Sequence, residues 1–150
     1  MSEKHDDAEL ILKLYDLRRE ETMRKARNWF FADFQPQSVE DFRNALMGEH
    51  SAYYRMVTTY WDMAASLVNN AAIDAKMFDD ANGEHRGVYL KIEPYLTELR
   101  AAFHMPEYLQ NLEQCVKSAP GGEEKLTVMR ERMKFYKAMR EEAARKSQSA

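Results

Sequence analysis

Between Ser51 and Asp74 the large apolar residues recur at alternating spacings of four and three: Tyr53, Val57, Tyr60, Ala64, Leu67 and Ala71. That spacing puts them on one face of a helix. A second stripe, Met56, Trp61, Met63, Ala65 and Val68, covers much of the remainder. A helix apolar nearly all round belongs inside a bundle. The pattern therefore predicts a buried central helix over about 51–70, with Asn69-Asn70 supplying the left-handed residue that ends it.

The flanking segments carry the same period. Residues 6 to about 34 read as one long helix, with Leu10, Leu14 and Leu17 as its stripe and Asp6 or Asp7 as its cap. Its charged middle holds Glu20 with Arg24 and Glu21 with Lys25, acid first and four apart, which supports a helix. The aromatic group Trp29, Phe30, Phe31 and Phe34 follows, and Pro36 ends the run. Ser38 with Glu40 and Asp41 reads as the cap of a helix carrying Phe42, Ala45 and Leu46 inward. Asp74 caps a short turn that Asn82-Gly83 closes. From Val88 to Phe103 the helical phase holds across Pro94, as one kinked helix or as two stacked end to end. Pro106 opens a shorter helix through Leu109, Leu112, Cys115 and Val116. Ala119-Pro120-Gly121-Gly122 is the clearest break. Beyond it, Leu126, Met129, Met133 and Tyr136 form the seam of a last long helix, until Arg140 interrupts it and exposes the final turns.

The expectation is an all-α bundle of five to seven helices, one domain over 1–150, with tails at 1–5 and 147–150 frayed. A chain of this length buries a core without staples. Five glycines, four prolines and ten methionines in 150 residues favour helix over sheet. One helix of about 28 residues would span roughly 42 Å, more than the ~38 Å breadth of a compact globule of this size. The first helix should therefore project or pack against a second copy.

Candidate chemistry is sparse. His5, His50, His85 and His104 show no zinc or di-iron spacing. Cys115 shares a face with Leu112 and reads as a buried thiol. A single cysteine and a polar, acidic N-terminus point to a cytoplasmic protein without a membrane segment. No phosphate loop, nucleophile elbow or dinucleotide fingerprint occurs. Neither a cofactor nor a metal nor a catalytic residue is therefore expected, and the protein reads as no enzyme. Residues 123–150 hold eight Lys/Arg against five Asp/Glu, while residues 35–122 hold seven against twelve. Without aromatics for base stacking on the basic helix, nucleic acid is not an expected partner.

Asp62, in the most apolar helix, and Arg100, among Leu96, Leu99 and Phe103, each need a partner or a path to water. They are expected to pair with each other. The leading functional expectation is a non-enzymatic interaction module, a homodimer joined through its terminal helices, with Leu10, Leu14, Leu17, Trp29, Phe30, Phe31, Met129, Met133 and Tyr136 at the interface. The alternative is a small-ligand sensor with an aromatic pocket between the central helix and 88–103, lined by Tyr53, Tyr60, Trp61, Tyr89 and Tyr95.

The run Tyr60-Trp61-Asp62-Met63-Ala64-Ala65, then Ala72-Ile73-Asp74 and Met77-Phe78, resembles a pattern of uncharacterised bacterial helical domains of unknown function. Ile92-Glu93-Pro94-Tyr95-Leu96-Thr97-Glu98-Leu99-Arg100, with Pro106-Glu107-Tyr108 and Leu112-Glu113, is similar to the second half of that pattern. The resemblance spans roughly residues 50–118 and implies an all-helical domain. It transfers no catalytic residue. It implies a membrane helix ahead of the domain in many relatives, and none is expected here.

Overall fold

Helix α4, Ser51–Asn69, holds the fold together in the computed structural model, which describes residues 2–149. Around it lie α2 (Glu21–Asn28), α3 (Val39–Met47), α5 (Ala75–Ala81), α6 (Glu84–Ile92) and α8 (Gln110–Ser118). Helices α1 (Ser2–Arg19), α7 (Leu96–Ala102) and α9 (Gly122–Ser149) complete the bundle. A π turn spans Trp29–Asp33 and a 3-10 turn spans Glu93–Tyr95. No strand occurs among the described residues. Among the described residues there are nine α-helices, and the expected first helix and the segment 88–103 each account for two of them. The tails expected to fray are helical over 2–5 and 147–149, and residues 1 and 150 lie outside the described ones.

The buried face of α4 is Tyr54, Val57, Thr58, Trp61, Ala64 and Ala65. It is rotated slightly from the expected stripe: Tyr53, Tyr60 and Leu67 are half-buried, and Met63 is exposed. Each large apolar side chain fully buried here contributes roughly 1.5–3 kcal/mol. Ala64 and Ala65 are fully buried, and α8 lies along this helix more extensively than any other. The Thr58 hydroxyl, buried on this face, donates to the Tyr54 carbonyl at 2.9 Å. The helix ends on Ala71, whose φ is 60°, rather than on either asparagine. Asn70 instead turns its amide back onto the Ser66 carbonyl at 2.8 Å.

The expected N-terminal rod is broken. Glu20 takes an extended ψ of 143°, and its carboxylate accepts the N–H groups of Thr22 at 3.1 Å and Met23 at 3.0 Å. Its carboxyl is held below the usual range by those two backbone bonds. Two orphan N–H groups at a helix start outcompete one exposed ion pair, so Glu20 caps α2 and leaves Arg24. Glu21 and Lys25 do pair, at 3.4 Å. The long helix of the fold is therefore the last one, 28 residues from Gly122.

Other local signals hold. The Ser38 hydroxyl accepts from the Asp41 N–H at 3.3 Å, and Asp74 accepts from Met77 at 2.9 Å. Pro94 sits in the 3-10 turn, where its missing N–H costs nothing. Helix α8 starts at Gln110, four residues beyond Pro106, because Leu109 takes a left-handed φ of 56°.

Candidate functional site

The residues singled out from sequence do not gather at one place. Asp62 and Arg100 have different partners. Asp62 accepts the Leu112 N–H at 2.9 Å and the Asn111 side-chain amide at 3.3 Å, so it caps α8 from another helix. Arg100 pairs with Glu113 at 3.1 Å and donates to the Tyr108 carbonyl at 2.9 Å. The expected ion pair fails because the free N–H groups at the start of α8 offer Asp62 a closer partner.

The five rings of the expected aromatic pocket are also dispersed. Trp61 and Tyr89 are sealed in the core. The Tyr60 hydroxyl donates to the Leu14 carbonyl, Tyr95 packs on Phe42, and Tyr53 stacks near His50 and Trp29. Sequence spacing could not show a different pair, the buried hydroxyls of Tyr54 and Tyr108, which meet at 2.7 Å.

Of the expected interface residues, Leu14, Trp29 and Phe30 are core residues and cannot serve a partner. Leu10, Leu17 and Tyr136 are exposed, while Phe31, Met129 and Met133 are half-buried. These last three lie in a groove where α9 crosses α6 and the π turn.

The groove is open to solvent and has a volume of about 400 Å³. Phe31, Met129, Met133 and Gly87 supply its apolar surface, and Lys91, Arg132, Lys137 and Arg140 supply cations. Gly87 lets α6 lie close to the Phe31 ring: a Cβ there would stand 3.3 Å from it, so the ring would have to shift by a few tenths of an ångström. The π turn closes with the Phe34 N–H donating to the Trp29 carbonyl at 2.9 Å. The turn's wider backbone loop frees carbonyls that a regular helix would use. Lys91 reaches across from α6 and donates to the carbonyls of Phe30 and Phe34 at 2.5 and 2.6 Å. Its ammonium also lies 5.0 Å from the Phe30 ring centroid, a cation–π distance. Burial lowers the Lys91 ammonium to about 8, and the charge of Arg140 adds to the effect. Among the described residues, no carboxylate pairs with Lys91. Glu84 reaches the groove but is engaged by Arg27 at 2.8 Å and the Trp61 indole N–H at 3.0 Å.

A second polar cluster lies where α5, α6 and α9 meet. Asp79 contacts Lys125 at 2.7 Å, Arg86 at 3.3 Å and the buried His85 ring at 3.7 Å. Burial pushes the Asp79 carboxyl up, but those three neighbours pull it down further, to about 2. Neither ring nitrogen of His85 has a hydrogen bond, and its ring packs on Phe78 and Trp61. Burial therefore lowers the His85 imidazole below its ordinary value. Burial also raises the Cys115 thiol to about 11, which leaves it protonated and inert. No three His, Cys, Asp or Glu side chains among the described residues are placed to share a metal ion.

These features define an all-α domain with a capped, aromatic core and a groove under its last helix. No helix among the described residues is long and apolar enough to cross a membrane. Residues 5–119 match a domain of unknown function, DUF4760, and the chain belongs to that family. The match takes in α2 to α8 and most of α1, and it stops before α9. No curated protein and no solved structure matches the chain.

Proposed function

We propose that the protein is a non-enzymatic helical interaction module that pairs with a second copy of itself through its terminal helices. The observation that carries this reading is the C-terminal part of α9: residues 134–149 are exposed on every side. An unsupported helix of that length is marginal in water. Yet it presents Phe135, Tyr136 and Met139, and Val128 continues the stripe toward the body. Val128, Phe135 and Met139 share a face turned away from the seam Leu126, Met129 and Met133.

Helix α1 supplies a complement. It exposes Leu10, Leu12 and Leu17, and residues 3–16 hold five acids against two lysines. Residues 134–149 hold five Lys/Arg against two glutamates. Charge and apolar surface both favour α1 of one copy against α9 of the other. A two-fold axis lets each copy use both helices and doubles the area buried. The sealed His85 and the protonated Cys115 support a role without nucleophilic chemistry.

Sedimentation velocity across about 5–200 µM tests the pairing. A dimer is expected that weakens as salt rises, and Phe135→Glu with Met139→Glu should give a monomer of unchanged helix content. A wild-type chain that stays monomeric at about 200 µM overturns the reading.

A further inference from the structure

We infer that the groove between α6 and α9 is a binding site for a single-chain amphiphilic anion, an unbranched fatty carboxylate. The surface is apolar where an acyl chain would lie, on Phe31, Gly87, Met129 and Met133. Its volume of about 400 Å³ falls in the range of small-ligand sites. Methionine walls adapt to a chain of variable length and bend.

The charge pattern selects the head group. Lys91 and Arg140 both face this groove, and the charge of Arg140 acts unfavourably on Lys91. Arg132 and Lys137 add two further cations at the margin. None of these four makes an ion pair with a carboxylate among the described residues. Glu84, the one acid in the lining, is held by Arg27 and Trp61. An anion seated between Lys91 and Arg140 would relieve their repulsion where water is partly excluded, so the interaction is stronger than on an open surface. A neutral apolar ligand would leave that repulsion in place.

The groove and the proposed dimer contact use different apolar faces of α9, while Lys137 and Arg140 contribute charge to both. Met129, Met133 and Arg140 sit on the inward side of α9, whereas Val128, Phe135 and Met139 sit on the outward side. Of its two walls, Phe31, Gly87 and Lys91 fall within the family match, and the α9 residues fall outside it.

Titration calorimetry with dodecanoate, kept monomeric, provides the test, using the full chain and dodecanol as the uncharged control. One-to-one binding is expected, with dodecanol weaker by about tenfold or more. Lys137→Gln with Arg140→Gln, both on an exposed stretch, should weaken dodecanoate by about tenfold and leave dodecanol unchanged. Methyl shifts of Met129 and Met133 should follow dodecanoate, which a merely superficial charge effect would not produce. Equal affinity for acid and alcohol overturns the inference. So does binding to anionic phosphatidylglycerol vesicles without binding of monomeric dodecanoate, which would assign the cations to a lipid surface. So does the absence of any dodecanoate heat or methyl shift. A monomeric chain that still binds dodecanoate separates this inference from the dimer reading.

Discussion

The carboxylate of Asp62, in the middle of α4, accepts the backbone N–H of Leu112 at 2.9 Å. Helix α8 begins after a left-handed Leu109 that offers no capping side chain. The cap comes from fifty residues earlier in the chain, and it ties the start of α8 to the central helix. Asp62→Ala should therefore destabilise the fold by about 1–2 kcal/mol in urea unfolding. Asp62→Asn, which keeps an acceptor, should cost less. Hydrogen exchange should place the lost protection at the first turn of α8.

Ala64 has no exposed surface and lies on the buried face of α4. Replacing it with leucine adds volume to a packed layer and should cost about 1–3 kcal/mol. An unchanged thermal midpoint would contradict the placement.

His85 is neutral in the fold because burial depresses its imidazole. A depressed group contributes stability above its unfolded value, near 6.5, and that contribution is lost as pH falls through the folded value. Stability should thus decline on acidification below about 6.5. His85→Phe should flatten that limb. Asp79 acts in the same direction at lower pH, between its ordinary 3.8 and about 2. Urea midpoints across about pH 2–8 check both.

Arg27 grips Glu84 with two parallel hydrogen bonds, from Nε to Oε2 at 2.9 Å and from Nη2 to Oε1 at 2.8 Å. Removing the guanidinium leaves a half-buried carboxylate beside Trp61. Arg27→Met should cost roughly 1–3 kcal/mol. A double cycle with Glu84→Gln should show coupling of about 1 kcal/mol, since the two act as one unit.

Features written in a few adjacent residues were legible in the sequence. The Ser38 and Asp74 caps, the interruption at Pro94 and the break before the last helix each depend on local backbone chemistry. Glu20 failed as a helix-interior residue because the same acid can serve a neighbouring arginine or the backbone, and spacing alone does not rank the two. Asp62 and Arg100 each do take a partner, but one fifty residues away for Asp62 and one thirteen away for Arg100 are chosen by packing. The groove is not legible in the sequence for a related reason. Lys91 looks like an ordinary surface lysine in sequence, and only the carbonyls freed by the π turn explain its place. The outward stripe of α9 does not stand out in the sequence, because it shares the helical period of the seam and has three members to the seam's four.

The bare end of α9 also sets a distance. Sixteen residues of continuous helix rise about 24 Å from the last half-buried turn. Such a segment acts as a stiff strut, and whatever grips its tip is held at a fixed standoff. Insertion of two residues near Ala143 would lengthen that strut by about 3 Å and rotate its tip by about 200°, turning the far end to the opposite side.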